Sequence, residues 1–164
     1  MKGPLFYSKI LLFGEYGIIK DSKGLSIPFS LFNGALKIDS DISDTTKTSN
    51  QSLKKFVEYL GSLKIQELDF DFEKLQADVD KGMYFDSSIP QGYGVGSSGA
   101  LVAAIYDKYA INKVTVLENL TREKLLKLKQ IFSAMESFFH GKSSGLDPLN
   151  SYLSIPILIN SKDN

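Results

Sequence analysis

A glycine-rich stretch near the middle of the chain, IPQGYGVGSSGALVAA at residues 89–104, constrains the fold more than any other segment. Glycines at positions 92, 94 and 96 allow positive φ angles and let backbone N–H groups approach a ligand without an intervening Cβ. Successive N–H groups in such a turn form an anion-binding concavity, and the helix N-terminus that follows adds about half a positive charge. The stretch therefore predicts a strand, a loop and a helix that together bind a phosphate group.

Two standard phosphate-binding motifs do not fit this stretch. A P-loop has a lysine after its last glycine, whereas Ser97 follows Gly96 here. A Rossmann loop follows the first strand of a domain, whereas this loop lies in mid-chain. Taken alone, the stretch is also compatible with a simple flexible turn.

The length and composition fit one globular domain, or one lobe of a larger protein. Nineteen basic residues balance nineteen acidic ones among 164, which argues against nucleic-acid and membrane-surface partners. There is no cysteine, and no segment approaches the roughly 20 apolar residues of a membrane span. We therefore expect a cytoplasmic protein with no nucleic-acid or membrane partner.

Hydrophobic periodicity predicts an α+β chain that begins with strands. Strands are expected at about residues 5–13, near Ile18, and on both sides of a hairpin at Asn33 and Gly34. Residues 39–51 have the composition of a polar surface loop. A helix follows that loop, and its apolar positions have helical spacing: Leu53, Phe56, Val57 and Leu60.

The second half of the chain is predicted to be mainly helical. A strand within residues 82–90 leads into the glycine loop, and a helix follows the loop. Thr115 and Glu118 have capping-box spacing, and a long helix is expected at residues 121–139. Its buried stripe comprises Leu125, Leu128, Phe132, Met135 and Phe139. Glycines and a proline then break the helix, and residues 151–159 are predicted as a closing strand.

Three segments together resemble the GHMP kinase superfamily, which includes galactokinases, homoserine kinases, mevalonate kinases and phosphomevalonate kinases. PQGYGVGSSGA is similar to the family loop P-x-G-x-G-L-G-S-S-A-A, with Val95 in place of leucine and Gly99 in place of the first alanine. SKILLFGEYGII is similar to the N-terminal strand of mevalonate kinases, and ESFFHGKSSGLDP to their E-x-x-x-H-G-x-P-S-G-x-D-N. The three segments occur in the family order.

The resemblance implies an N-terminal GHMP lobe of α+β fold, with a mixed sheet backed by helices. It also implies a left-handed β-α-β unit around the phosphate loop, an exception to the right-handed rule. Residues 1–164 would form the ATP-binding domain, and the C-terminal lobe of the family is expected to be missing.

The resemblance also implies binding sites for ATP and Mg²⁺. Mg²⁺ would be held by Ser98 and Glu136, which is adequate because this ion keeps several waters. Taken alone, a glutamate on a polar helix face such as Glu136 is usually just solvated. The residues implied to contact ATP are Pro90, Gly92, Gly94, Val95, Gly96, Ser97, Ser98 and Gly99.

Two charged residues are implied to perform the phosphoryl transfer. Asp147 would accept the proton of the substrate hydroxyl, and Lys9 would keep Asp147 ionised and stabilise developing charge. Taken alone, Asp147 could be a turn residue before Pro148, and Lys9 could lie at a strand edge. Glu15 is implied to lie beside the substrate or nucleotide site and is included among the substrate-binding residues. His140, the only histidine, is expected to order a turn and not to act in catalysis.

These implications predict an ATP-dependent phosphotransferase that acts on a small-molecule alcohol and is most like mevalonate kinase. Tyr16, Ser143 and Pro148 replace family residues, so phosphomevalonate, homoserine and sugars remain alternative acceptors. A non-catalytic nucleotide-binding sensor is the alternative from another class, although Lys9 and Asp147 together argue against it. Without a second lobe, little activity is expected, because water would reach the phosphoryl group. A homodimer is among the expected assemblies.

Overall fold

Four strands and five helices lie in the residues that the computed structural model describes, namely 4–14, 23–38, 43–65, 68–114, 116 and 119–160. The strands are β1 (Phe6–Phe13), β2 (Gly24–Lys37), β3 (Tyr84–Ser87) and β4 (Ile157–Ile159). The helices are α1 (Asp44–Ser62), α2 (Phe72–Asp80), α3 (Ser97–Tyr109), α4 (Arg122–His140) and α5 (Leu146–Leu153). The α+β class is confirmed.

The strands form one sheet around β2, and every pairing among the described strands is antiparallel. The mixed sheet expected from the sequence is therefore an antiparallel one over these strands. β1 pairs along one edge of β2, and β3 and β4 pair with opposite ends of the other edge. β3 and β4 consequently run in the same direction, and the chain between them contains α3, α4 and α5. The left-handedness of this connection stays a prediction.

β2 is one long strand where the sequence predicted a hairpin. Asn33 pairs with Tyr7, and Gly34 continues the strand instead of turning the chain. The register then shifts, because the next β1 residue, Ser8, pairs with Phe29. Residues 30–32 consequently bulge out of β2. The irregularity of the strand is a bulge and not a turn.

Gly34 is needed for packing and not for a turn. A Cβ at this position would overlap the aromatic ring of Phe85 on β3. The ring therefore lies directly over the bare backbone of β2, a close approach that a strand glycine permits. This contact holds β3 in place, and β3 leads directly into the glycine loop.

Helix α1 begins earlier than predicted. Ser43 is its N-cap and accepts a hydrogen bond from the backbone N–H of Thr46 at 3.2 Å. Most of the segment predicted as a polar loop, residues 39–51, is thus the exposed start of this helix. The predicted apolar face is confirmed, since Leu53, Phe56, Val57 and Leu60 are buried.

Helix α4 agrees with its prediction, whereas α2 was not predicted. Thr121 is the N-cap of α4, and the middle of the predicted stripe is fully buried at Leu128, Phe132 and Met135. The two ends of the stripe are half-buried. α2 buries only Leu75 and Val79 of its nine residues, too short an apolar pattern to reveal a helix in the sequence.

The segment after α4 differs from the predicted loop and strand. α5 begins directly after Gly145, and Pro148 lies in its first turn, where a missing N–H costs little. Residues 151–153 belong to α5, so only Ile157–Ile159 of the predicted closing strand pairs with β2. Asp147 therefore lies in the first turn of a helix and not in a loop.

Helix α3 lies at the centre of the fold. Its residues Val102, Ile105 and Tyr106 are fully buried, and it contacts β1, β2, α4 and α5. None of the described helices is long and apolar enough to cross a membrane. Glu15, Tyr16, the strand near Ile18, and the capping box of Thr115 and Glu118 lie outside the described residues.

Candidate active site

The glycine loop has the backbone conformation that its sequence predicts. Gly92, Gly94 and Gly96 have φ angles of 81°, 67° and 85°, a region that residues with a Cβ rarely adopt. A Cβ on Gly92 or Gly94 would meet no atom within 4 Å. Tyr93 between them is 79% exposed. The loop is therefore open to solvent, and its conformation rather than crowding requires glycine there.

The third glycine places the loop against strand β1. Gly96 is the N-cap of α3 and makes no side-chain capping bond. A Cβ on Gly96 would lie 3.1 Å from Cγ of Lys9, and the Lys9 N–H donates to the Val95 carbonyl at 3.0 Å. The first turn of α3 thus has no side-chain cap, and its N–H groups are available to bind an anion beside Lys9.

Lys9 and Asp147 form an ion pair next to this helix end. Nζ of Lys9 lies 3.1 Å from Oδ1 of Asp147, and the two side chains are 13% and 33% exposed. Asp147 also lies in the first turn of α5, where the helix dipole favours a negative charge. The structure therefore holds a partly exposed carboxylate and a largely buried ammonium together beside the loop.

Gly99 allows α5 to approach α3 without a side chain between them. A Cβ on Gly99 would lie 2.7 Å from the carbonyl carbon of Asp147 and 2.7 Å from the nitrogen of Pro148. These distances are too short for any side chain to fit without a backbone shift. The first turns of the two helices are thus in direct backbone contact.

Ser98 and Glu136 face each other across the start of α3. The Ser98 hydroxyl donates to Oε1 of Glu136 at 3.0 Å, and the Ser143 hydroxyl donates to Oε2. Burial raises the pKa of Glu136, which is 3% exposed. Hydrogen bonds from Ser143 and Ser98 and the charge of His140 act to lower this pKa. The negative charge of Asp147 acts with burial to raise it.

His140 joins this group, although its expected role is only to order a turn. Its Nε2 lies 3.0 Å from the Ser98 hydroxyl oxygen. A spacing of four residues places His140 and Glu136 on the same face of α4, and this spacing was visible in the sequence. In the sequence, Ser143 stands out only because it replaces a residue of the family motif. Its contact with Glu136 depends on how the chain folds back after α4.

Gly145 places the start of α5 directly on α4. Its φ is 74°, and a Cβ there would overlap the Lys129 carbonyl oxygen and lie 2.7 Å from the Ser133 nitrogen. The preceding turn is held by Ser133, whose hydroxyl donates to the Ser143 carbonyl at 2.6 Å. Contacts with two helices, α3 and α4, therefore fix where Asp147 lies.

The oxygens of Ser98 and Glu136 fit a magnesium ion. Adjacent ligands of an octahedral ion with bonds of about 2.1 Å are about 3 Å apart, and these two oxygens are 3.0 Å apart. The described residues contain no group of three or more histidine, aspartate or glutamate side chains that could hold a metal alone. An ion here would therefore complete its shell with water and ligand oxygens, as Mg²⁺ usually does.

The structure brings most of the predicted site residues together. The end of the loop meets Lys9 and Asp147 at the N-terminus of α3, through Val95, Gly96 and Gly99, and Ser98 and Glu136 meet beside it. Ser97 is the first residue of α3, and Val95 contacts Lys9 through its carbonyl group. Glu15 lies outside the described residues.

Comparison with known proteins gives one result. The sequence pattern of the GHMP kinases N terminal domain matches residues 52–154, more than half of the chain. The match includes the glycine loop, Glu136 and Asp147, whereas Lys9 precedes it. No curated protein matches the chain. The chain therefore belongs to the GHMP kinase N-terminal domain family.

Proposed function

We propose that this chain binds ATP and takes part in transferring its γ-phosphate to the hydroxyl group of a small molecule. One observation supports this most strongly: the ion pair of Lys9 and Asp147 lies beside an open glycine loop at an uncapped helix N-terminus. Family membership indicates a phosphotransferase. The open loop supplies space and N–H donors for phosphate oxygens.

The loop and the first turn of α3 would bind the phosphates. Residues 92–96 supply backbone N–H groups, and Ser97 and Ser98 add hydroxyl groups at the positive end of the helix. Ser98 and Glu136 would hold Mg²⁺, which supplies positive charge to phosphate oxygens when bound. His140 contacts the Ser98 hydroxyl and so orients it.

Asp147 would act as the proton acceptor. The substrate hydroxyl loses its proton to Asp147 as its oxygen bonds to the γ-phosphorus, and the bond from that phosphorus to the bridging oxygen of ADP breaks. Lys9 holds the carboxylate in place and offsets the negative charge on the transferred group. Both roles require the 3.1 Å contact between the two side chains.

We further propose an acceptor of the mevalonate type. Its support is the resemblance of two segments, residues 8–19 and 136–148, to mevalonate kinase motifs. The loop is exposed, and Asp147 is one-third exposed, so water reaches the site from one side. We therefore expect this chain by itself to bind nucleotide and to transfer phosphate only slowly.

The substitution Asp147→Asn tests the proposal in the full chain. We expect the affinity for Mg²⁺ and ATP, measured by isothermal titration calorimetry, to change by less than about threefold, because the Asp147 carboxylate is proposed to act on the acceptor hydroxyl and not to bind the ATP phosphates. Phosphoryl transfer to mevalonate and other alcohols, measured with the chain in excess over labelled ATP, should fall by about a hundredfold or more.

Asp86→Asn is the matched control. Asp86 is also ion-paired, with Lys37, but lies on β3, outside the loop and outside the Lys9–Asp147 pair. Its removal should leave both measurements unchanged. The proposal is wrong if the chain does not bind Mg²⁺ and ATP, or if Asp147→Asn transfers phosphate as fast as the unsubstituted chain. Unchanged transfer would instead favour a site in which Asp147 has only a structural role.

A further inference from the structure

We propose that Ser151 is a positioning residue that sets the distance between Asp147 and Lys9. This inference rests on the proposed function of that pair. The Ser151 hydroxyl donates to the Tyr7 carbonyl oxygen at 2.8 Å, and Ser151 is 4% exposed. The bond joins the helix that contains Asp147 to the strand that contains Lys9.

The spacing along the two elements matches. Ser151 follows Asp147 by four residues, a rise of about 6 Å along a helix and a return to the same helix face. Tyr7 precedes Lys9 by two residues, a rise of about 6.6 Å along a strand. α5 therefore lies antiparallel to β1 with two contacts at nearly equal intervals: Asp147 with Lys9, and Ser151 with Tyr7.

The Ser151 bond lies where the sheet is irregular. The register between β1 and β2 shifts between Tyr7 and Ser8, because residues 30–32 bulge out. A bulge interrupts the regular ladder of cross-strand hydrogen bonds. The hydroxyl of Ser151 therefore joins β1 to α5 beside one of the two irregular positions in the pairing of β1 with β2.

Other contacts restrain α5 from different directions. Gly99 and Gly145 bring its first turn against α3 and α4. The Ser151 hydrogen bond restrains α5 in a third direction, toward the strand that contains Lys9. A shift of α5 by one residue along β1 would break the Ser151 bond and separate Asp147 from Lys9.

The substitution Ser151→Ala tests this inference against Ser8→Ala. Ser8 is a matched control because it is also fully buried and also donates to a backbone carbonyl, that of Phe29, at 2.9 Å. Its bond remains within the sheet and does not reach α5. Both substitutions should lower the stability of the chain, since each removes the hydroxyl that donates to a part-buried carbonyl group.

The decisive measurement is the coupling between Lys9 and Asp147. Urea unfolding of Lys9→Met, Asp147→Asn and the double variant gives this coupling as a double-mutant cycle. We expect the coupling to be measurable in the unsubstituted chain and in Ser8→Ala, and to be lost in Ser151→Ala. Equal coupling in all three backgrounds overturns the inference, because Ser151 would then contribute stability alone.

Phosphoryl transfer provides a second measurement. Ser151→Ala should lower the transfer rate at least tenfold and leave the ATP affinity unchanged. In a chain that already carries Asp147→Asn, adding Ser151→Ala should not lower the transfer rate further. If Asp147→Asn is inactive and Ser151→Ala keeps the full rate, the positioning role is wrong. If Asp147→Asn keeps the full rate, the proposed function fails. Loss of coupling in Ser151→Ala would then still establish that Ser151 sets the distance between Asp147 and Lys9.

Should Ser151→Ala not fold, Ser151→Cys replaces it in both measurements, because cysteine is of similar size but is a weaker hydrogen-bond donor.

Discussion

The carbonyl carbon of Asp147 lies 2.7 Å from the place where Gly99 would carry a Cβ. The proposed proton acceptor and the phosphate-binding helix are thus in direct backbone contact. The family loop that this segment resembles has alanine at position 99, whereas the glycine here leaves room for this contact. Gly99 is consequently one of the residues, with Gly145, that fix where the carboxylate on α5 lies.

Gly99→Ala should therefore destabilise the chain and displace Asp147. Forcing a methyl group into a close backbone contact typically costs about 1–3 kcal/mol of unfolding free energy. Urea unfolding measures this loss. Gly61→Ala is the control: Gly61 lies near the end of α1 with no atom within 4 Å of the added methyl group, so a gain of about 0.5–1 kcal/mol is expected. Equal stability of the two variants would contradict the close contact.

Gly145→Ala should be more damaging than Gly82→Ala. Both glycines have positive φ, at 74° and 92°, which costs a residue with a Cβ about 1–3 kcal/mol. The methyl group on Gly145 would also overlap α4, whereas that on Gly82 would meet no atom within 4 Å. Thermal unfolding should show a larger loss for Gly145→Ala. Similar losses would mean that φ strain alone matters at Gly145.

Tyr109→Phe should cost stability that depends on pH. The Tyr109 hydroxyl donates to Asp78 at 2.7 Å, and Tyr109 is 1% exposed. Burial acts to raise the pKa of Asp78, but hydrogen bonds from Tyr109 and Lys108, together with the positive charges of Lys108 and Lys81, outweigh burial and lower the pKa below its ordinary 3.8. A carboxyl group whose pKa is lower in the folded chain than in the unfolded chain stabilises the fold at pH values above its unfolded-state pKa. This stability is lost as the pH falls through the folded-state pKa.

The loss on Tyr109→Phe should consequently be largest near neutral pH, at about 1.5–3 kcal/mol for a bond to a charged partner, and smaller in acid. Urea midpoints between about pH 6 and pH 2 measure it. Tyr59→Phe is the control, because Tyr59 donates to the uncharged Ala134 carbonyl at 2.8 Å. Its cost should not vary with pH. A constant cost for Tyr109→Phe would show that Asp78 does not contribute through its charge.

Ser98→Ala should weaken nucleotide binding only when magnesium is present. Loss of a hydroxyl from the proposed ion site should reduce the affinity for ATP with Mg²⁺ on the order of tenfold. Affinity measured with a chelator present should change little, because the backbone N–H groups of the loop remain. Ser137→Ala is the control, since Ser137 donates within α4 to the Ser133 carbonyl. Equal weakening with and without the ion would argue against Ser98 as a ligand.

The parts of the fold with short-range causes could be predicted from the sequence. Glycines at alternate positions determine the loop conformation locally, and the apolar stripe of α4 repeats over several turns. Both predictions agree with the structure. Asn33 and Gly34 have the composition of a turn, but the packing of Phe85 on Gly34 overrides that local preference. The helix α5 was missed because its proline and glycines indicate a break, whereas they occupy its first turn and its cap.

The site depends more on distant contacts. A resemblance to known motifs indicated Lys9, Glu136 and Asp147, and the fold brings them together with Ser98. The hydrogen bonds that Ser143 and His140 make could not be derived from composition or periodicity. They exist because α4 ends at Gly141 and the chain returns over its last turns.

The hydrogen bond between Ser151 and Tyr7 joins residues 144 positions apart. During synthesis on the ribosome, β1 leaves the exit tunnel long before α5 has been translated. The nascent chain therefore cannot form the Ser151 bond to β1, or the contact between Asp147 and Lys9, until α5 has emerged. A nucleotide bound as proposed would consequently stabilise the fold only after α5 has folded, and would not assist the folding of the strands that precede it.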